Sequence, residues 1–300
     1  MRAIWLAVMM GVLTVGGLPR PVAAQNTPAA VAADLATARR LFTEGRYAEG
    51  LAILRPAAEA GDPVAQNIVG VAYDDGLGYA ADPVAARYWL TRAAEAGDAR
   101  AQLNLGQLLR DGRPGIAVDM VAARRWIQSA SDLGYGPASS ALGRMVERGI
   151  GGPVDLSEAL RLYRIGQAAG DPWASEYLAH LYLNGTGVPQ DEALARRYFS
   201  EAAAGGVAQA QSNYGYMLET GAGGPVDLAQ AEALYRQAMT GGYARAGYNL
   251  AWLLDGQATD RASSEEVAAA CDWALSRADP EERVEWFDDC ATLRKRGHRR

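Results

Sequence analysis

The chain is poor in the side chains that most enzyme centres require. Among 300 residues it has two histidines, His180 and His298, and two cysteines, Cys271 and Cys290, while 28 arginines stand against one lysine, Lys295. Two histidines exclude a histidine metal cluster, and no cofactor is expected. His180 reads as a groove-lining or partly exposed residue, since a catalytic base would also need a nucleophile nearby. The glycine bends "GTGVPQD" and "GAGGPVD" lack the lysine and Ser/Thr that hold phosphate and magnesium. The carboxylate pairs Glu265–Glu266, Glu281–Glu282 and Asp288–Asp289 suit helix starts or solvated faces.

Long apolar runs are scarce too. The one such run, Ile4 to about Leu18, follows Arg2 and precedes small residues ending at Ala24. It is shorter than the roughly 20 residues that span a bilayer, so residues 1–24 read as a cleaved export signal. The mature chain, with no further long apolar stretch, is expected to be soluble and periplasmic, or else fully secreted. Its 27 basic and 35 acidic side chains give a net charge of −8, which disfavours nucleic acid. Only the tail "RKRGHRR" collects positive charge without an acid. It reads as a solvated terminus or as an electrostatic contact with a partner or membrane surface.

What the chain has in quantity is repetition. Phase-marking glycines fall at Gly61, Gly97, Gly134, Gly170, Gly206 and Gly242, at intervals of 36, 37, 36, 36 and 36 residues. The longer interval comes from one extra residue between Gly112 and Asp119, in a loop that tolerates it. A period in this range signals stacked two-helix units. Each unit opens with small and apolar residues at helical spacing, as at Ala65, Val69, Gly70, Ala72 and Tyr73. The first helix stops at Gly76, Gly112, Gly149, Gly185 or Gly221, and the second starts at the N-caps Asp82, Asp119, Asp155, Asp191 and Asp227. Large residues at Trp89, Trp126, Leu162, Tyr198 and Leu234 fill the space between hairpins. Small ones at Gly70, Gly106, Gly143, Ala179, Gly215 and Ala251 let helix backbones approach. One hairpin cannot bury both its faces, so stability comes from stacking.

The pattern "A…LG…Y..G.GV..D...A..W...AA..G", carried by Ala101 to Gly134 and by Ala174 to Gly206, resembles the Sel1-like repeat, a relative of the tetratricopeptide repeat. The resemblance implies an all-α fold, a right-handed α-solenoid of stacked helix-turn-helix units. It covers residues 62–256. Residues 34–61 resemble a tetratricopeptide unit opening the array, after a flexible segment at 25–33. Residues 257–295 are expected to form capping helices ahead of the basic tail at 296–300. Caps at both ends argue against end-to-end stacking. With Asp279–Pro280 as a hairpin turn, Cys271 and Cys290 face each other across it, as a disulfide or as two buried thiols. The cysteine-rich Sel1-like proteins associated with penicillin binding carry a disulfide in every repeat, and these repeats carry none.

The tetratricopeptide plan implies that first helices line a groove and offer three rows of positions. The first reads Asn67, Leu103, Ser140, Glu176, Ser212 and Tyr248. The second reads Val71, Gln107, Arg144, His180, Tyr216 and Trp252, and the third Asp74, Arg110, Glu147, Leu183, Glu219 and Asp255. The candidate groove is therefore Arg144, Glu147, Glu176, His180, Ser212, Tyr216, Glu219, Tyr248, Trp252 and Asp255, with Tyr248 and Trp252 either presented to a partner or packed beneath the C-terminal cap. The function that follows is a non-enzymatic scaffold or adaptor binding a protein or peptide, with an envelope signalling or polysaccharide system as its setting. The alternative is a protein that binds cell-wall glycan or peptidoglycan, or a weak β-lactamase-like hydrolase.

Overall fold

The computed structural model describes residues 28–257 and 261–297, and side chains over 28–256 and 265–293. The export signal expected at residues 1–24 and the tail residues His298, Arg299 and Arg300 lie outside the described residues. The described residues are all-α, with no strand, and divide into two compact units that meet between Asp155 and Leu156 in the chain. The fold is an α-solenoid of helical hairpins.

In the first unit α1 (Pro28–Thr43) and α2 (Tyr47–Glu59) form the opening hairpin. Next, α3 (Pro63–Asp75) pairs with α4 (Pro83–Glu95), α5 (Ala99–Asp111) pairs with α6 (Met120–Asp132), and α7 (Gly136–Arg148) packs on α6. In the second unit α8 (Leu156–Ala168) packs on α9 (Pro172–Asn184), which pairs with α10 (Glu192–Ala204). The pairs α11 (Ala208–Thr220) with α12 (Leu228–Thr240) and α13 (Ala244–Gln257) with α14 (Arg261–Arg277) follow. The last helix, α15 (Pro280–Gly297), lies on both α13 and α14.

Cap chemistry sets the helix ends. The Asp62, Asp119, Asp191 and Asp227 carboxylates accept the backbone N–H three residues on at 2.8–2.9 Å, satisfying donors that the first turn leaves open. Gly76, Gly149, Gly185 and Gly221 end first helices in the left-handed conformation. Gly112 does not, because its loop holds the extra residue: Arg113 and Ile116 exchange backbone hydrogen bonds and bury Ile116. At the shared small position, a Cβ on Gly70 would come within 2.8 Å of Leu90, and one on Gly215 within 2.9 Å of Tyr235.

The second glycine of each bend has a role that the cap argument did not foresee. Gly151 and Gly223 have φ of 71° and 67°, and a Cβ on either would overlap a backbone carbonyl oxygen, that of Met120 or of Glu192. The bend of one hairpin therefore rests on the N-terminus of the preceding second helix, which only glycine permits. A buried amide adds a second joint. Gln66, Gln102 and Gln211 donate to the carbonyls of Ala58, Ala94 and Ala203 at 3.0–3.3 Å, in the last turn of the preceding helix.

Two boundaries differ from expectation. The opening helix begins at Pro28 rather than after residue 33. Proline suits a first turn, and Ala30 and Val31 are buried. At the other end α15 runs to Gly297, into the segment expected as tail. It also keeps the period, since Ala278 stands 36 residues after Gly242 and Asp279 caps α15 through the Glu282 N–H at 2.8 Å. Alanine in place of the marker glycine hid this phase.

Candidate functional site

Burial separates the three rows of the first helices. The first row is interior: Asn67, Leu103 and Ser140 in the first unit, and Glu176 and Ser212 in the second, are all at most 7% exposed. For Asn67, Glu176 and Ser212 a polar rung between successive first helices satisfies the buried polar group. Asn104 donates to the Asn67 carbonyl oxygen at 2.8 Å, Asn213 to the Glu176 carboxylate at 3.0 Å, and Asn249 to the Ser212 hydroxyl at 3.2 Å. Each rung spans 37 residues of sequence and ties one hairpin to the next. Buried polar groups need such partners. Glu176 and Ser212, expected in the groove, thus serve the stack.

The second row is more open, with Arg144 and Tyr216 exposed and the other members partly buried. In the first unit Arg144 is exposed and Glu147, from the third row, is partly buried, both on α7. In the second unit α9, α11 and α13 carry His180, Tyr216 and Trp252 at equivalent positions of consecutive hairpins. Tyr216 is 55% exposed, and the His180 side chain 36%. His180 Nε2 lies 3.1 Å from the buried Glu176 carboxylate, and its ring meets Phe199 edge-on at 5.1 Å. The imidazole is therefore held from below and beside, with one edge open. Among the described residues no group of three or more His, Cys, Asp or Glu is placed to hold a metal ion.

The C-terminal part of the expected groove is closed. Tyr248 stacks on Trp286 of α15 at 4.9 Å, and its hydroxyl donates to Asp289 at 2.6 Å. Burial first, and that hydrogen bond second, push its pKa up to about 12. Arg245 lies over the Trp286 ring and pairs with Glu282 at 3.2 Å. Trp252 is partly buried, edge-on to Tyr248, and Asp255 is buried. Glu219 accepts the Tyr235 hydroxyl at 2.7 Å. Of the two readings open for Tyr248, packing under the cap is the observed one. Behind it Cys271 and Cys290 form a disulfide between α14 and α15, with Cα atoms 5.6 Å apart and both residues fully buried.

Along the second row of the second unit Tyr216 is exposed, flanked by the partly exposed His180 and by Trp252, which packs on the C-terminal core, with the partly buried Glu219 beside them. The rungs beneath this row escaped sequence reasoning. Their signal was asparagine at positions 104, 213 and 249, each one residue after a first-row position.

Comparison with known proteins bears on this architecture. The Sel1 repeat family model matches residues 63–98, 99–135, 137–171, 174–207 and 208–243. A crystal structure of a Sel1 repeat protein from Oxalobacter formigenes superposes with a TM-score of 0.67 and 29% identity, covering 79% of this chain and 95% of that one. The crystal structure of c5321, a protective antigen present in uropathogenic Escherichia coli strains and displaying an SLR fold, gives a TM-score of 0.62 and 28% identity, covering 88% of this chain and 62% of that one. No curated protein is significantly similar.

Proposed function

Because the chain belongs to the Sel1 repeat family, whose repeats commonly mediate protein binding, we propose that it is a non-catalytic scaffold whose second unit binds a protein or peptide along the His180–Tyr216–Trp252 row. The observation that carries this reading is the split in burial along α9 and α11. One row of polar residues is consumed by inter-hairpin hydrogen bonds, while the next leaves Tyr216 exposed between His180 and Trp252. A half-exposed tyrosine with a polar tip suits an interface anchor. The partner surface that fits this row is an extended segment offering apolar side chains and a hydrogen-bond donor for the Glu219 edge.

The setting we propose is the periplasm, in an envelope signalling or polysaccharide system. The N-terminal segment supports export, and a buried disulfide supports an oxidising compartment. No helix among the described residues is long and apolar enough to cross a membrane. The test is affinity capture of the tagged chain from native envelope, beside a Tyr216→Ala/Trp252→Ala variant. A protein recovered with wild type and lost with the variant supports the proposal. Equal recovery with both moves the contact off the row. Glycan retained in place of protein favours the cell-wall reading.

A further inference from the structure

The last described helix, α15, starts as a first helix does. Asp279 and Pro280 start α15 as Asp62 and Pro63 start α3, with the same 2.8 Å cap bond in each. In earlier hairpins the position nine residues past the phase marker is Gly70, Gly106 or Gly215, pressed against Leu90, Ile127 or Tyr235 of the helix that follows. In α15 that position is Phe287, 57% exposed, and Val284 one turn before it is 78% exposed. With the partly buried Ala291 they form an apolar stripe at i, i+3 and i+7. It lies opposite the buried Trp286, Cys290 and Leu293. Among the described residues α15 thus presents to solvent the face that a second helix covers elsewhere.

Charge indicates what covers it. The N-terminal half of α15 shows exposed acids at Glu281, Glu285 and Asp288 against one exposed base, Arg283, while the sequence places Arg294, Lys295 and Arg296 in its last turns. A helix that is acidic at one end, basic at the other and apolar between complements an antiparallel copy of itself. A partner of single sign would match only one half. We propose that α15 is the contact between two copies of this chain, packed antiparallel about a two-fold axis, each supplying the cover that the other lacks. Such pairing closes after two copies. One helix face buries less than the roughly 1,200–2,000 Å² of standard interfaces, so pairing is concentration-dependent, with a Kd on the order of 10 μM.

Sedimentation equilibrium of the chain across about 1 to 200 μM brackets that Kd. The expected result is a mass rising from one copy to two, with Phe287→Glu remaining at one copy. Two charge variants test the geometry without touching the stripe: Glu281→Arg/Glu285→Arg, and Arg294→Glu/Lys295→Glu. Each alone is expected to stay monomeric, and an equimolar mixture is expected to form a one-to-one heterodimer. A wild-type mass of one copy throughout, a dimer that survives Phe287→Glu, or a mixture that stays monomeric would each overturn the proposal. A mass of two copies for either charge variant alone would overturn it as well.

Discussion

Within the second unit, the hairpins α9–α10 and α11–α12 and the final segment α13–α15 keep one 36-residue period by different means. The regular hairpins use left-handed glycines, a bend resting on the helix before it, and the Asn213–Glu176 rung. The final segment has lost the glycine bend and the marker glycine. It keeps the Asn249 rung to α11 and is held beyond it by a disulfide, a Tyr248–Trp286 stack and the Arg245–Glu282 pair. A repeat phase can therefore outlive the residues that announce it, provided that other contacts fix the crossing of the helices. The contacts that replace the bend enlist Tyr248, which packs beneath α15 as the other first-row residues pack within the stack.

The sharpest way to break this contrast is at the bends. Gly223→Val is expected to destabilise the second unit by about 3 kcal/mol or more, through backbone strain and overlap with Glu192. Gly256→Ala in α13, where an added Cβ meets nothing, is expected to be neutral or to stabilise by about 0.5–1 kcal/mol. Urea unfolding of both variants reads the difference. Next comes the disulfide. Cys271→Ala/Cys290→Ala is expected to lose about 3 kcal/mol for a closed loop of this length. Hydrogen exchange should place the loosening in α14 and α15 and leave α9–α12 protected; uniform loss across the unit would count against two separate devices.

Smaller effects sharpen the comparison. Asn213→Leu removes a hydrogen bond to a buried carboxylate and is expected to cost about 2 kcal/mol, against about 1 kcal/mol for Asn249→Leu, whose acceptor is a neutral hydroxyl. Thermal melts of the two variants rank them. The Tyr248 phenol has a folded pKa raised above its unfolded value, so its contribution is fully present below about pH 10 and is lost as pH rises through about 12. Tyr248→Phe is expected to flatten the alkaline fall in stability over that window, and an unchanged slope would remove the phenol from the cap. Least of all, Tyr216→Ala is expected to shift stability by less than about 0.5 kcal/mol, because more than half of that residue already faces water.

Much of the fold was legible because its determinants are local. Glycine spacing, Asp caps and the Asp279–Pro280 turn act over a few residues, and from them followed the hairpins and the Cys271–Cys290 pairing. The site was legible only in part. Which face of a first helix turns outward depends on the angle between hairpins, which a single helix does not encode. Glu176 and Ser212 look like surface residues until Asn213 and Asn249 reach them from the next hairpin. His180, Tyr216 and Trp252 do share a register, but burial varies along it, with Tyr216 exposed and the other two partly buried, while Tyr248 was claimed by α15, whose phase no glycine marked.

The claim at the centre of this account is that the outward row of the second unit binds while the inward row only builds. It is tested most directly by placing a photo-crosslinking residue at position 216, and in a second variant at the exposed position 228 on α12, then irradiating each in native envelope. The account predicts one discrete protein adduct at 216 and none at 228. Equal labelling at both positions, or an adduct only at 228, would contradict it.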